Sequence, residues 1–366
     1  MKEAHEVKYL GDILNAHGNP KATITDRINR GYAICGQMFA LLRDIPIGNL
    51  KVQIGLELRQ AWLLNGILFN SEVWHSVSDK DIAPFVEIDK YLLRGLLTAH
   101  AKTPLEHLYL ETSALPISYI ITSRRLIYLK HILDREDSEV TKKIYICQRS
   151  KPSPGDWCNL VDKDFQDIEL SIDESAIESM CLKEYKTLIK KHVRNAAFKA
   201  LISLKNSHSK VSQNQYSDMN KPQGYIVDKN ITNTQVSLLF ALRSHSIRGI
   251  RTNFSQLYSH NTLCPVCERS IDTQEHTIQC QVLLDILPLT QDISFDDLQG
   301  PTQSQIDFVR VYEQYLTLRD EILEDTYTQP SLPVLYTGPK RHQARPKALS
   351  CTGDSVIADV SLDGIE

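Results

Sequence analysis

Four side chains in the last third of the chain are suited to holding a metal. Cys264, Cys267, His276 and Cys280 are spaced C-x2-C-x8-H-x3-C. The first two cysteines flank Pro265-Val266, a tight knuckle that offers two thiolates at about 2.3 Å from one zinc ion. His276 and Cys280 are four apart, a spacing that places both side chains on one face of a helical turn. Four protein ligands close a tetrahedron and leave no position for a reactive water, so the expected cofactor is a structural Zn2+. The bland alternative is three unconnected cysteines beside a surface histidine. The first cysteine pair alone is a weak signal, and the complete four-ligand spacing argues against that alternative. Three thiolates and a neutral imidazole leave the site with a charge near -1. It does not itself attract phosphate, so any polyanion contact must come from residues around it.

Charge is unevenly spread. The 366 residues carry a net -4, with 42% hydrophobic and 23% charged residues. Residues 153–180 hold eight acidic groups and one Lys. Residues 181–260 hold thirteen Lys and Arg against Glu184, Asp218 and Asp228. A strongly basic block between acidic flanks is a candidate for polyanion contact, and its plain alternative is a solvated helix face. The candidate phosphate contacts are Lys190, Lys191, Arg194, Arg243, Arg248 and Arg251. Tyr258 and His260 are candidates for stacking on bases, with a core role as the alternative. Eight cysteines in so long a chain do not make a disulfide scaffold. No apolar run reaches the roughly 20 residues of a membrane span, and Ala61–Phe69 is interrupted by Asn65. The first residues have no apolar signal core. An intracellular protein, nuclear or cytoplasmic and away from membranes, is expected.

The elements that must position these groups are mostly helices. His5–Leu14 alternates like a short strand entering a turn at Gly11. From Thr23 the period is helical, with Ile24, Ile28, Tyr32, Cys35 and Phe39 near one face. A second helix is expected over Leu50–Phe69, with Leu58, Trp62 and Phe69 on its apolar side. A third covers Ile82–Ala99, and a short one Leu105–Glu111. Pro116 suits the first turn of a helix to Asp134, with Arg124 and Arg125 in its middle. Ser138 is placed to cap another through Cys147. Lys151-Pro152-Ser153-Pro154-Gly155 reads as a linker. After an acidic stretch, a basic helix is expected over Ser175–Ser207, its stripe formed by Leu182, Tyr185, Ile189, Val193, Ala197 and Leu201. Asn206–Pro222 reads as a loop, Thr234 as the cap of a helix to Ser246, and Gln303–Glu324 as the last helix. Beyond Tyr327 the Pro- and Gly-rich composition, with Lys340, Arg341, Arg345 and Lys347, predicts a disordered tail. The expected fold is mainly α: a helical bundle, a short amino-terminal strand and a small zinc knuckle.

Several strings resemble one family in their order and spacing. Lys8-Tyr9-Leu10-Gly11, with Arg27-Ile28 after it, resembles the exit from the palm into the thumb of a non-LTR (LINE-type) retrotransposon reverse transcriptase. Glu72-Val73-Trp74 resembles the element that follows. Leu108 to Pro116 (LYLETSALP), then Arg124-Arg125-Leu126-Ile127-Tyr128, is similar to the next block. Gly155-Asp156-Trp157 matches too, as do Leu239 to Ser244 (LFALRS), Asn253-Phe254, and the cysteine pair with Gln274-Glu275-His276 and Cys280. The resemblance spans about residues 7 to 325.

It implies a remnant of the polymerase palm edge at 1–20 and a thumb-like helical domain at 21–150. A linker and basic connector follow at 151–260, the zinc-knuckle module and last helix at 261–326, and the tail at 327–366. It also implies partners: element RNA and target DNA.

The family's polymerase centre is an aromatic-x-Asp-Asp motif holding two magnesium ions, and that motif would lie before residue 1. Phe295-Asp296-Asp297 lacks the intervening residue and lies after the zinc motif, so it reads as an acidic surface loop. No Pro-Asp follows Cys280 and the next Lys is Lys340, so no nuclease is assigned. Two functions compete. One is a nucleic-acid-binding carboxy-terminal part of a transposable element's RNA-directed DNA polymerase, truncated and without its own catalytic centre. The other is a domesticated zinc-binding scaffold for protein interaction; an inert remnant ranks third.

Overall fold

The computed structural model describes residues 6–9, 12–15, 21–43, 50–75, 77–208, 211–258, 261–289 and 293–326. Leu10 and Gly11 of the first string, His260 and the proposed tail fall outside them. Glu6–Tyr9 (β1) and Asp12–Asn15 (β2) pair antiparallel, Val7 opposite Leu14. Ile13 N donates to Thr23 Oγ1 at 2.9 Å and ties this hairpin to the first helix. Nearly everything else is helical, as the 3.6-residue periodicity requires.

The first helices form one packing layer. Helix α1 (Lys21–Arg43) buries Ile24, Cys35, Met38 and Leu42. Gly31 in α1 has no room for a side chain: a Cβ would meet Ile88 Cδ1 at 2.8 Å, so this helix can approach α4 (Asp79–Leu97) closely. The second expected helix is three pieces: α2 (Leu50–Leu58), a π turn (Arg59–Leu63) and α3 (Leu64–Ile67). The π turn adds a residue and shifts the face that follows. Leu63, Leu64, Ile67 and Leu68 are therefore buried, while Trp62 and Phe69, expected in the core, are 37% and 44% exposed.

Helices α5 (Leu105–Thr112) and α6 (Ile117–Leu133) lead into the second half. Next comes α7 (Val140–Ser150), whose N-cap is Glu139 rather than Ser138. The acidic stretch contains an unforeseen helix, α8 (Trp157–Asp167), which buries Trp157, Cys158, Val161 and Asp164. The basic helix is broken. Met180 stands extended between α9 (Glu174–Ser179) and α10 (Leu182–Asn206), where Cys181 and Glu184 form a capping box. Within α10 five residues of the expected stripe, Tyr185, Ile189, Val193, Ala197 and Leu201, are buried, while Leu182 at the first position is half-buried. A single turn, α11 (Gly224–Val227), precedes α12 (Asn233–Arg243), capped by Thr232 and not Thr234. Helices α13 (Gln274–Gln279), α14 (Gln281–Ile286) and α15 (Thr302–Thr326) complete the set.

The described residues up to Leu323 make one compact unit. The expected linker at 151–155 divides no core: Leu126 and Leu129 of α6 pack in one cluster with Trp157 of α8 and Tyr185 of α10. Likewise Val52, Leu93 and Leu108 share a cluster with Phe240, Cys264 and Tyr312. Phe295-Asp296-Asp297 is not a loop but opens a 3-10 turn, with Ser294 and Asp297 as its capping box and Phe295 packed edge-on against Phe308. No helix among the described residues is long and apolar enough to cross a membrane.

Candidate metal centre and basic surface

The knuckle is built by a short antiparallel bridge between Leu263 and Ile271. Cys264 N donates to Ser270 O and Asp272 N to Thr262 O, each at 2.7 Å. Between them Glu268 N donates to Cys264 O at 2.8 Å, and Glu268 takes φ +55°, the left-handed conformation a tight reversal needs. This reversal brings Cys267 back beside Cys264. The histidine arrives on α13, whose N-cap Thr273 accepts from His276 N at 3.0 Å. His276 presents Nε2 to Cys267 Sγ at 3.3 Å. Cys280 is not on the same helical turn as expected. It stands at the extended break between α13 and α14, with φ -68° and ψ 114°, and the break directs it inward.

The ligand atoms of Cys264, Cys267, His276 and Cys280 all lie within 4.8 Å of one another. Bonds of about 2.3 Å to a tetrahedral zinc would set them roughly 3.8 Å apart, so the donor set fits that ion. The acid–base balance fits as well. Burial and the neighbouring thiols push Cys264 up to about 11, and burial raises Cys280. Burial opposes ionisation of Cys267 too, but the amides of Arg269 and Ser270, with hydrogen bonds from His276 and Cys264, outweigh it and bring that thiol down to about 6. A divalent cation supplies what the two raised thiols lack, since it binds the thiolate and expels the proton.

Asp272 and Arg319 belong to this centre and were not anticipated. Arg319 of α15 meets both Asp272 carboxylate oxygens at 2.8 and 2.9 Å, and its NH2 reaches Gly249 O at 3.0 Å. Asp272 Oδ2 also accepts Arg251 N at 2.7 Å. Both side chains are buried, so a fork-to-fork ion pair fastens the knuckle to the last helix. A sequence signal existed. Arg319 continues the run Phe308, Tyr312, Tyr315 at core spacing, where an arginine needs a buried acid.

The six candidate phosphate contacts meet different fates. Lys190 and Lys191 are exposed on α10. Lys183, Lys186 and Lys190 share that outer face by helical spacing. Arg194 is half-buried, its NH1 donating to Met219 O at 2.5 Å. Arg248 is exposed beyond α12. Arg251 lies over the Tyr258 ring at 5.7 Å, so that ring already has a partner.

Arg243 is a correction. It is 2% exposed, and its Nε donates to Glu111 Oε1 at 2.7 Å. Tyr216 and Tyr225 hydroxyls donate to the same carboxylate at 2.6 and 2.7 Å. The Arg243 and Tyr216 side chains also stack, 5.7 Å apart. A guanidinium so enclosed serves the fold, and no phosphate reaches it.

Comparisons with protein-family models, curated proteins and solved structures returned no match for this chain.

Proposed function

We propose that this chain is a nucleic-acid-binding carboxy-terminal part of a non-LTR retrotransposon reverse transcriptase, with a structural zinc ion held by Cys264, Cys267, His276 and Cys280. In this reading the thumb-like and connector helices grip element RNA or target DNA. One observation carries the reading: the strings behind the resemblance find one another in space. Trp157 of Gly155-Asp156-Trp157 donates its indole N–H to Glu72 O of Glu72-Val73-Trp74 at 2.7 Å. Arg243 of LFALRS pairs with Glu111 of LYLETSALP. Asn253 of Asn253-Phe254 donates to Gln274, beside the ligand His276, at 3.1 Å. Strings that bond to one another across long gaps behave as parts of one framework.

The grip itself is assigned to the exposed cations of α10. Replacing Lys183, Lys190 and Lys191 together by Gln is expected to weaken duplex binding at all sequences alike. The slope of log K against log salt should flatten by up to about 2.7, at roughly 0.9 per lost phosphate contact. The helix should survive, because Gln and Lys are similar helix formers. A salt titration of both proteins by fluorescence anisotropy checks this. Equal slopes for the two proteins would remove α10 from the interface.

The rival scaffold reading has an observation of its own. Val140 and Ile144, one helical turn apart on α7, are 71% and 54% exposed. It forecasts feeble binding that the triple change leaves untouched.

A further inference from the structure

Phe69, expected in the core, instead edges a cavity of about 370 Å³ between the end of α3 and the outer face of α6. It is a shallow cleft open to solvent, so it suits a flat group laid against its wall rather than an enclosed ligand. Tyr128 supplies a second aromatic wall, while Asn65, Glu72, Arg124 and His131 supply polar groups. Arg124 and Arg125 divide the work of their helix. Arg125 turns inward to Asp164 at 2.6 Å. Arg124 faces the cavity and is held there by Leu68 O and by Asn65 Oδ1. Those two acceptors take two of its five N–H groups, so donors remain for a ligand. Burial lowers the Arg124 pKa, the cost of holding a guanidinium partly out of water. The floor is braced as well. The buried Arg27 guanidinium lies 5.2 Å from the Phe69 ring centre and fixes that ring from behind.

Two aromatic faces, the Glu72 carboxylate for a base edge, and a guanidinium and an imidazole for phosphate are the complementary set for one unpaired nucleotide. We infer that this cavity holds a single nucleotide, its base against Phe69 and Tyr128 and its phosphate at Arg124 and His131. The inference rests on the nucleic-acid reading above and adds a site remote in sequence from the basic helix. A base inside a duplex keeps both faces stacked and cannot enter, so the site selects single strands.

The test uses the full chain with a labelled oligoadenylate, a blunt duplex and adenosine monophosphate. Phe69→Ala is expected to weaken oligoadenylate binding about fivefold or more, since each stacked base matters on that scale. Phe69→Trp, which keeps a stacking face, is expected to retain it. Duplex binding should be unchanged in both variants. Photocrosslinks from a thiouridine-bearing oligonucleotide should map to Phe69 or Tyr128. Adenosine monophosphate binding that Phe69→Ala abolishes would identify a free nucleotide as the ligand; binding of the oligonucleotide alone would identify a nucleotide within a strand. Equal strand binding by wild type and Phe69→Ala, or crosslinks mapping elsewhere, overturns the cavity alone. So does duplex binding by a wild type that ignores single strands. A wild type that binds neither nucleic acid overturns the parent reading too.

Discussion

Cys264→Ser is expected to remove zinc from the purified protein and to loosen the chain from about residue 261 onward. Serine is a hard, weakly acidic oxygen ligand where the site needs a thiolate, so the remaining three donors hold the ion poorly. Structural zinc supplies apparent binding free energy of roughly 10–16 kcal/mol in small modules, and that energy is folding energy. Here the loss should spread. Cys264 and Cys280 belong to the same core cluster as Phe240, Phe308 and Tyr312. Asp272, eight residues beyond Cys264, holds α15 through Arg319. Elemental analysis is expected to find one zinc per wild-type chain and far less in the variant. Hydrogen exchange should speed up in α13 and α15 but little in α1 or α4. Wild-type protein purified reduced and free of zinc, yet folded, would refute the assignment.

Arg243→Ala is expected to be among the most damaging single changes in the chain. It leaves the Glu111 carboxylate, 0% exposed, facing only neutral donors. Breaking one partner of a buried pair typically costs about 3–5 kcal/mol. Four segments meet at this carboxylate: Glu111 on α5, Tyr216 in the loop after α10, Tyr225 on α11 and Arg243 on α12. The loss should therefore lower the cooperativity of unfolding as well as its midpoint. Replacing Glu111 by Gln together with Arg243 by Met should cost less than either single change, because no charge is then stranded. Urea titrations of the four proteins measure this coupling directly. A nucleic-acid role for Arg243 would instead predict normal stability and lost binding.

The same site sets an acid limit. Burial pushes His107 down to about 4, against an ordinary value near 6.5, and Tyr216 holds its Nδ1 at 2.9 Å. The unfolded chain therefore takes up a proton that the folded chain refuses. Stability falls as pH drops from roughly 6.5 to 4, and is fully present above that window. Glu111 works in the same direction. Burial would raise its pKa, but the Arg243 guanidinium, with the Tyr216 hydroxyl, outweighs burial and holds it low. Its contribution is present above the ordinary carboxylate range and is lost as pH falls through the depressed value.

Much of this protein was legible in its sequence. Helical periodicity depends on neighbours three and four residues apart, so Tyr185, Ile189, Val193, Ala197 and Leu201 declared the buried face of α10 without any knowledge of what covers it. The four candidate metal ligands were legible for a similar reason. Their spacing alone limits how far the donors can separate, and the structure brings their ligand atoms within 4.8 Å of one another. Tertiary structure decided the rest. Lys190 and Arg243 are both basic residues on amphipathic helices, and composition cannot separate them. What separates them is Glu111, 132 residues before Arg243, which turns an apparent phosphate contact into a buried tie. Arg319, never a candidate contact, is likewise tied to an acid far along the chain, Asp272, 47 residues before it. Phe69 marks the opposite case: the helix expected to run through it ends at Ile67, and Phe69, in the turn that follows, lies 44% exposed on the rim of a cleft. Burial of a charge or exposure of an aromatic is set by partners far along the chain and by where a helix ends. The local pattern that specifies the helix can mark a buried charge, as the core spacing of Arg319 does, but it does not name the partner.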